Sequence, residues 1–418
     1  MLTVLRTSWP LLLGLLFLMV GNGLQGTLLG VRGAIEGYDA GTMSYVMSAY
    51  FLGFLAGSKL TPALIAQVGH VRVFAALASL ISAAFILYAA IPHPVSWALM
   101  RFIVGLCFCG VYIVSESWLN GASTNETRGQ ALSLYMIVQM VGIIAAQGLL
   151  NIADPAEYTL FVIMSVLVSV AFAPILLSKT PAPAFEATKP MTLAQLFHIS
   201  PLGMVGCFLL GGVFSGIFGM SAVYASEAGF STAQTSLLVG LIYLGGLLFQ
   251  YPVGWISDRM DRRKLIVGGT AIGAAASLLA LPVLGDFTVV CIVGFIVGAM
   301  ANPLYSLMIA YTNDFLEPGD MASASGGLLF ANGLGAIMGP IVIGLLMARI
   351  GPVGFFVFLG TLFAAVMVYA LYRMTQRPAP AVEDTTAYSP VFHQATPVAL
   401  EVAQEVAQEK ADEAAARA

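Results

Sequence analysis

Gly254-Trp-Ile-Ser-Asp258-Arg259-Met-Asp261-Arg262-Arg263-Lys264 joins two long apolar segments. It holds four of the seventeen Lys and Arg residues in a chain of 418. Basic residues gathered at the end of an apolar segment mark a charged hinge at a membrane face. The rest of the chain agrees, with 59% hydrophobic and only 9% charged residues. A soluble domain carries roughly 25% charged residues. Such a chain takes lipid as its solvent.

Spanning the hydrocarbon takes about 20 mostly apolar residues per helix. Outward from the hinge, twelve such stretches lie near 8–30, 41–66, 73–91, 95–118, 129–151, 158–178, 201–224, 232–256, 265–283, 287–312, 322–348 and 352–372. Helices satisfy their own backbone groups in lipid, and none of these stretches alternates like a barrel strand. The expected fold is an all-α integral membrane protein with twelve transmembrane helices. An even number of spans leaves both termini on one side. Placing that side in the cytoplasm puts thirteen Lys and Arg inside, Arg6, Arg72, Arg128, Lys179, Lys189, Lys410, Arg417 and the hinge among them. Only Arg32 and Arg349 fall outside, with Lys59 and Arg101 within spans. The positive-inside rule therefore expects cytoplasmic termini. The first apolar segment is too long for a signal-peptide core, so it reads as a retained span. Cys107, Cys109, Cys207 and Cys291 all fall inside spans, which points to packing residues rather than a metal site or disulfide framework.

The two parts of the chain share one plan at an offset of 192–193 residues. Phe51-Leu52-Gly53 aligns with Tyr243-Leu244-Gly245, Arg101-Phe102-Ile103-Val104-Gly105 with Gly294-Phe295-Ile296-Val297-Gly298, and Gln139 and Gly142 with Asn332 and Gly335. Six spans separate the partners, so the repeats run parallel in the membrane. The expected organisation is an N-terminal six-helix half (1–178), a Pro- and Ala-rich linker (179–200), a C-terminal six-helix half (201–372) and a polar tail (373–418). The tail reads as disordered or marginally helical by composition.

The hinge resembles the signature loop of the major facilitator superfamily, Gly-x-Leu-Ala-Asp-Arg-x-Gly-Arg-Arg-Lys. Asp261 departs from it, standing where that family has glycine. At finer grain the chain is similar to a bacterial branch typified by uncharacterised YcaD-like proteins, through Arg101-Phe-x-x-Gly105, Val114-x-Glu116-Ser117, Arg128-Gly129, Tyr135-Met136-x-Val138 and Gln250-x-Pro252-x-Gly254. Two six-helix bundles related by an axis along the membrane normal are the fold this resemblance implies. Alternating access by a secondary transporter is the implied activity. The resemblance also implies that Asp258 docks on a helix start in the opposite half, by pseudosymmetry near Arg128-Gly129, where the helix dipole is positive. Gly254, Asp258, Arg259, Arg262, Glu116 and Arg128 are then the candidate latch. Pro62 and Ala66 occupy the glycine and aspartate positions of the first-half loop, so only one latch is intact.

Arg101 lies about two turns into the fourth span. A lone arginine at a helix centre costs about 2.5–3.5 kcal/mol on insertion scales, so it should face the bundle interior or a wet cavity. No carboxylate sits at its depth, which leaves an anionic group on a solute as its natural partner. The alternative is an arginine that snorkels to the interface. Glu116 lies about fifteen rises of 1.5 Å away, too far to pair with it. Glu116 resembles the glutamate of a charge network with the signature loop, with proton coupling as the other possibility. Lys59, in the second span, reads as snorkelling. Polar residues in mid-span normally point inward. Asn22, Gln25, Arg101, Tyr112, Tyr135, Gln139, Tyr243, Gln250, Asn302, Tyr305 and Asn332 are the candidate cavity lining.

No nucleotide-binding loop, metal cluster or nucleophile–base constellation occurs in the sequence, which expects no enzyme and no cofactor. The expected protein is a multi-pass transporter of the bacterial inner membrane. It acts as a monomer in the lipid bilayer on a small organic solute, with protons the default coupling ion the resemblance implies and no nucleic-acid partner. A drug or metabolite efflux antiporter competes with uptake. The fifth span has Gly142-x-x-x-Ala146-Gln147 without the proline that marks drug antiporters, whereas Gly335-x-x-x-Gly339-Pro340 lies in the eleventh. A non-transporting receptor or scaffold on the same fold is the reading from another class.

Overall fold

The computed structural model describes residues 2–121, 123–176, 191–317 and 320–378, and within 380–403 residues 380, 385, 386, 388–391, 394, 396, 398–400, 402 and 403. The helices run α1 (Leu2–Ile35), α2 (Ala40–Val68), α3 (His70–Ala90), α4 (Pro94–Gly121), α5 (Asn125–Leu149), α6 (Thr159–Leu176), α7 (Leu193–Ile199), α8 (Pro201–Ser215), α9 (Ser221–Glu227), α10 (Thr232–Ser257), α11 (Arg262–Leu279), α12 (Phe287–Asn313), α13 (Met321–Ile350) and α14 (Gly354–Gln376). Among the described residues there is no strand. A π-turn over Gly216–Met220 joins α8 to α9, so one span runs from Pro201 to Glu227.

Among the described residues ten spans are long and apolar enough to cross a membrane, against the twelve expected of the whole chain. The sixth falls short because its described apolar part covers only Thr159–Pro174. The ninth, α11, is 18 residues long and opens on Arg262-Arg263-Lys264, three cations in its first turn. Most of the expected linker, with Lys179 and Lys189, lies outside the described residues, as do Lys410 and Arg417 of the tail. The end of the linker region forms α7, with Thr192 and Gln195 in a reciprocal capping box.

The repeat seen in the sequence recurs as packing. A Cβ on Gly53 would overlap the Phe102 carbonyl of α4, and one on Gly245 would overlap the Phe295 carbonyl of α12. The return contact repeats as well: Gly105 lies against the Tyr50 carbonyl and Gly298 against the Ile242 carbonyl. Small residues let the backbones of α2 and α4, and of α10 and α12, approach this closely in lipid.

Side chains fix the helix starts. Asp39 accepts the Thr42 N–H at 2.7 Å, and Asp286 accepts that of Thr288 at 2.8 Å. Asp261 accepts the Arg263 backbone N–H at 2.9 Å and pairs with the Arg263 guanidinium at 2.9 Å. The departure from glycine therefore supplies α11 with an N-cap. Burial pushes the Asp261 carboxyl up, but the Arg263 bonds outweigh it and hold the group below the usual carboxylate range. A depressed folded-state pKa gives stability that is present at neutral pH and lost as pH falls through that value. Asp261→Ala should lower stability by about 1 kcal/mol at neutral pH. Thermal unfolding in detergent should record a lower Tm that converges on that of the parent protein in acid.

The halves meet at the end away from Asp258. Glu227 accepts the Ala40 N–H at 3.0 Å, Asn151 donates to Ser236 at 3.1 Å, and Ser48 donates to the Ile337 carbonyl. Gly30 packs on Ala222 and Val223, and Gly344 on Ser44. At the Asp258 end the halves part.

Candidate functional site

Two regions gather the candidate residues. The first forms inside the N-terminal half, where α1, α2, α3 and α4 face one another. Asn22 Nδ2 donates to the Tyr112 hydroxyl at 3.0 Å and lies 3.5 Å from that of Tyr50. Gln25 Nε2 donates to Asn22 Oδ1 at 3.2 Å, and the Tyr88 hydroxyl donates to Gln25 Oε1 at 3.2 Å. Spacing on α1 brings Asn22 and Gln25 together, because residues three apart share a helix face.

Arg101 is fully buried beside this chain of amides and phenols. Its guanidinium carbon lies 4.8 Å from the centre of the Tyr50 ring, and Nη2 lies 3.2 Å from the Met47 sulfur. Nε and Nη1 have no hydrogen-bond partner among the described residues. It does not snorkel. A buried cation with idle donors is costly, so the site has unused capacity for an anion.

The second region is a vestibule at the Asp258 end. Between α5 and α10 opens a groove of about 510 Å³, lined by Met136, Met140, Gln250, Trp255, Asp258 and Asn302 among others. Gln250 Nε2 donates to the Ser306 hydroxyl at 3.0 Å and to that of Tyr388 at 3.1 Å. Glu116, buried near the end of α4, accepts the Tyr135 hydroxyl at 2.8 Å. Gln139 is buried one turn further along α5. Arg128 lines a small cavity with Glu116 and Tyr135.

Other candidates have packing roles here. Asn332 Nδ2 donates to the Cys207 carbonyl at 3.1 Å, joining α13 to α8, and also borders a small cavity with Tyr50 and Phe54. Tyr243 stands edge-on to Phe218 of the π-turn at 6.3 Å. Tyr305 is buried edge-on to Phe214, its hydroxyl without a partner among the described residues. Lys59 is exposed, with Nζ 5.0 Å from the Phe330 ring across the interface between halves.

The latch residues fall in two groups, Glu116 with Arg128 on one half and Asp258 with Arg262 on the other, and the contact expected of Asp258 is not the one it makes. Asp258 accepts the Tyr388 backbone N–H at 2.7 Å and lies 3.7 Å from Arg262 on its own half, rather than on the start of α5. The two halves stand apart at this end, and the docking contact requires them together. Arg262 donates to Ser257 at 3.1 Å and to the Ala310 carbonyl at 3.2 Å, and it pairs with Asp314. Burial raises the Asp314 carboxyl, against the pull of Arg262. Arg259 stays on its own helix, over the Trp255 ring at 4.1 Å. Gly254 lets the Tyr388 ring lie directly on α10, where a Cβ would strike it.

The tail, expected to be disordered or marginally helical, contributes buried residues to this vestibule, Tyr388, Val391, Gln394, Thr396, Leu400 and Val402 among them, and residues 398–400, 402 and 403 are helical. Sequence reasoning also passed over Tyr50, Tyr88 and Ser306. Tyr50 carried a usable signal, since it precedes the repeated Phe51-Leu52-Gly53 by one residue and must sit beside the α2–α4 contact.

Residues 11–246 and 223–400 match the family model described as Major Facilitator Superfamily. An uncharacterised MFS-type transporter of Enterobacter sp. (strain 638) is 27% identical over 382 residues, covering 90% of this chain and 98% of the relative. The uncharacterised MFS-type transporter YcaD of Escherichia coli is 26% identical over 390 residues, with the same coverage of 90% and 98%. Among solved structures, the nucleoside transporter NupG superposes with a TM-score of 0.69 at 16% identity, over 88% of this chain and 98% of that one. A bacterial homologue of the human lysosomal transporter Spinster, in an inward-facing and unoccupied conformation, gives 0.65 at 14% identity, over 96% and 97%. Likeness at such identity is a likeness of fold.

Proposed function

The chain belongs to the Major Facilitator Superfamily, and from that premise we propose a proton-coupled secondary transporter that moves a small organic solute with an anionic group. The superfamily makes it a membrane transporter. Solute, coupling and mechanism are inferred from the residues. The observation that carries the proposal is Arg101, wholly buried with two idle donor nitrogens beside the Asn22–Gln25–Tyr88 chain. A carboxylate or phosphate offers the acceptors those donors lack.

Alternating access is supported by the unequal ends of the bundle. Direct hydrogen bonds join the halves near Ala40, Asn151 and Glu227, while a groove separates α5 from α10 near Asp258. In the proposed cycle the halves rock about the shared interior. Asp258 reaches the start of α5 when the near end closes, which favours the state open at the far end. The distribution of Lys and Arg supports an orientation with the Asp258 end and both termini cytoplasmic, and the proposed transporter is a monomer of twelve spans in the bacterial inner membrane.

Reconstitution into liposomes with a panel of labelled metabolites, with and without a pH gradient, tests the proposal. Anionic metabolites should accumulate, faster with the gradient. Flux that ignores the gradient would indicate a uniporter or an exchanger. No flux of any solute would favour a receptor or scaffold on this fold.

A further inference from the structure

We propose that the tail segment carrying Thr386, Tyr388, Val391, Gln394, Thr396 and Ala399 acts as a plug that the vestibule binds, occluding the solute path and holding the two halves apart at the Asp258 end. The plug's role in blocking passage rests on the transport reading; its occupancy of the vestibule does not.

The segment is held by groups from both halves. On the C-terminal half, Ser306 Oγ donates to the Val391 carbonyl and accepts its N–H, both at 3.0 Å. Asp258 accepts the Tyr388 N–H at 2.7 Å, and Asp314 accepts the N–H and hydroxyl of Thr386 at 2.9 and 3.0 Å. Arg262 donates to the Thr386 carbonyl. On the N-terminal half, the Tyr112 hydroxyl donates to Gln394 Oε1 at 3.0 Å. Glu116 accepts the Thr396 hydroxyl and the backbone N–H groups of Thr396 and Ala399, the latter at 3.2 Å.

This pattern is specific. A buried carboxylate must be hydrogen-bonded to be tolerated, and Glu116 draws on the segment for most of its donors. Thr396 and Leu400 are fully buried. Main-chain groups make most of the contacts, so recognition depends on where the backbone of the segment lies against Asp258, Ser306 and Glu116. Solute approaching Tyr112 from this end meets Gln394 and Thr396 first.

The plug and the closed state exclude one another. Closing the near end requires the space the segment fills, and the Asp258 carboxylate cannot cap α5 while it accepts Tyr388. Anything that binds only the open form shifts the population toward it. The tether is short, since α14 ends at Gln376 and the first anchored residue is Thr386. A ligand linked this closely acts at an effective concentration on the order of millimolar, so modest intrinsic affinity suffices.

Accessibility provides the test. Ser306→Cys is introduced into the full chain with the four native cysteines, all buried, replaced by alanine. The purified protein is then labelled in detergent with a polar maleimide. Thr396→Glu sets a second carboxylate against Glu116 and should speed labelling by about tenfold or more, because like charges brought together expel the segment. Tyr388→Pro removes the N–H that Asp258 accepts and should act in the same direction, while Thr396→Ser should label at the parent rate. A synthetic peptide of residues 385–403 should slow labelling of the Thr396→Glu protein again, and a scrambled one should not. Parent-rate labelling of both disruptive variants in monodisperse protein overturns the plug, as does a parent that labels as fast as denatured protein. The readout is accessibility rather than flux. A protein that carried no solute would still report the plug, and a failed flux assay would leave it standing.

Discussion

Arg101→Met should leave stability equal or higher while cutting transport of an anionic solute by about two to three orders of magnitude. Methionine replaces the aliphatic stem with a flexible apolar chain of four heavy atoms, so the space it leaves is confined to where the guanidinium lay. What is removed is a buried cation whose Nε and Nη1 have no hydrogen-bond partner among the described residues. A lone charge in the hydrocarbon costs about 2.5–3.5 kcal/mol on insertion scales, so the variant should gain rather than lose on folding. The loss falls on the bound state, where an anionic group would face apolar surface in place of two donors. Truncating one member of a buried, hydrogen-bonded charge pair typically costs about 2–5 kcal/mol of binding. Arg101→Lys restores the charge but not the planar fork and should recover only part of the flux. Tm in detergent and counterflow of a labelled anionic metabolite make the comparison. Normal counterflow with a lowered Tm would make Arg101 a prop for Tyr50, with its stacking contact at 4.8 Å as its whole purpose.

Arg101 was legible in the sequence because charge in a span is expensive, and a single arginine two turns into a helix has few bland explanations. The repeat was legible for a similar reason. Gly53 with Gly245 and Gly105 with Gly298 keep their offset because each backbone contact leaves no room for a side chain. Asp258 and Arg262 were legible as residues but not as contacts, since a sequence does not choose between two states of a moving protein. The contacts of the tail were not legible. Its composition, rich in Pro, Ala, Glu and Gln, says that it has no core of its own. Its core is supplied by Tyr112, Glu116, Gln250 and Ser306, remote in sequence, and it meets them largely through main-chain groups that every residue carries. For the sixth and ninth stretches apolar length marks a helix without fixing the count of spans, since the described apolar part of one covers Thr159–Pro174 and the other opens on three cations.

Gly105→Ala and Gly298→Ala should destabilise the protein by similar amounts, about 1–3 kcal/mol each as overpacking, yet only the first should impair solute handling. The two positions are repeat partners, and a Cβ at either overlaps a carbonyl of the neighbouring helix, that of Tyr50 or that of Ile242. Relief requires α2 to move off α4, or α10 off α12, by about an ångström or more, because the added carbon would stand 2.0 Å from the Tyr50 oxygen or 1.9 Å from the Ile242 oxygen. The consequences then diverge with the residue displaced. Tyr50 carries the ring that faces Arg101, and its hydroxyl lies within 3.5 Å of Asn22, so moving its backbone disturbs the proposed anion site. Ile242 is an apolar core residue without such partners, and moving it costs packing alone. Thermal unfolding should therefore place the two variants together while counterflow in proteoliposomes separates them, Gly105→Ala falling well below Gly298→Ala. Equal flux in both would detach Tyr50 from solute recognition. A large difference in Tm would mean that the duplicated halves, alike in backbone, are not equally rigid where α2 meets α4 and α10 meets α12.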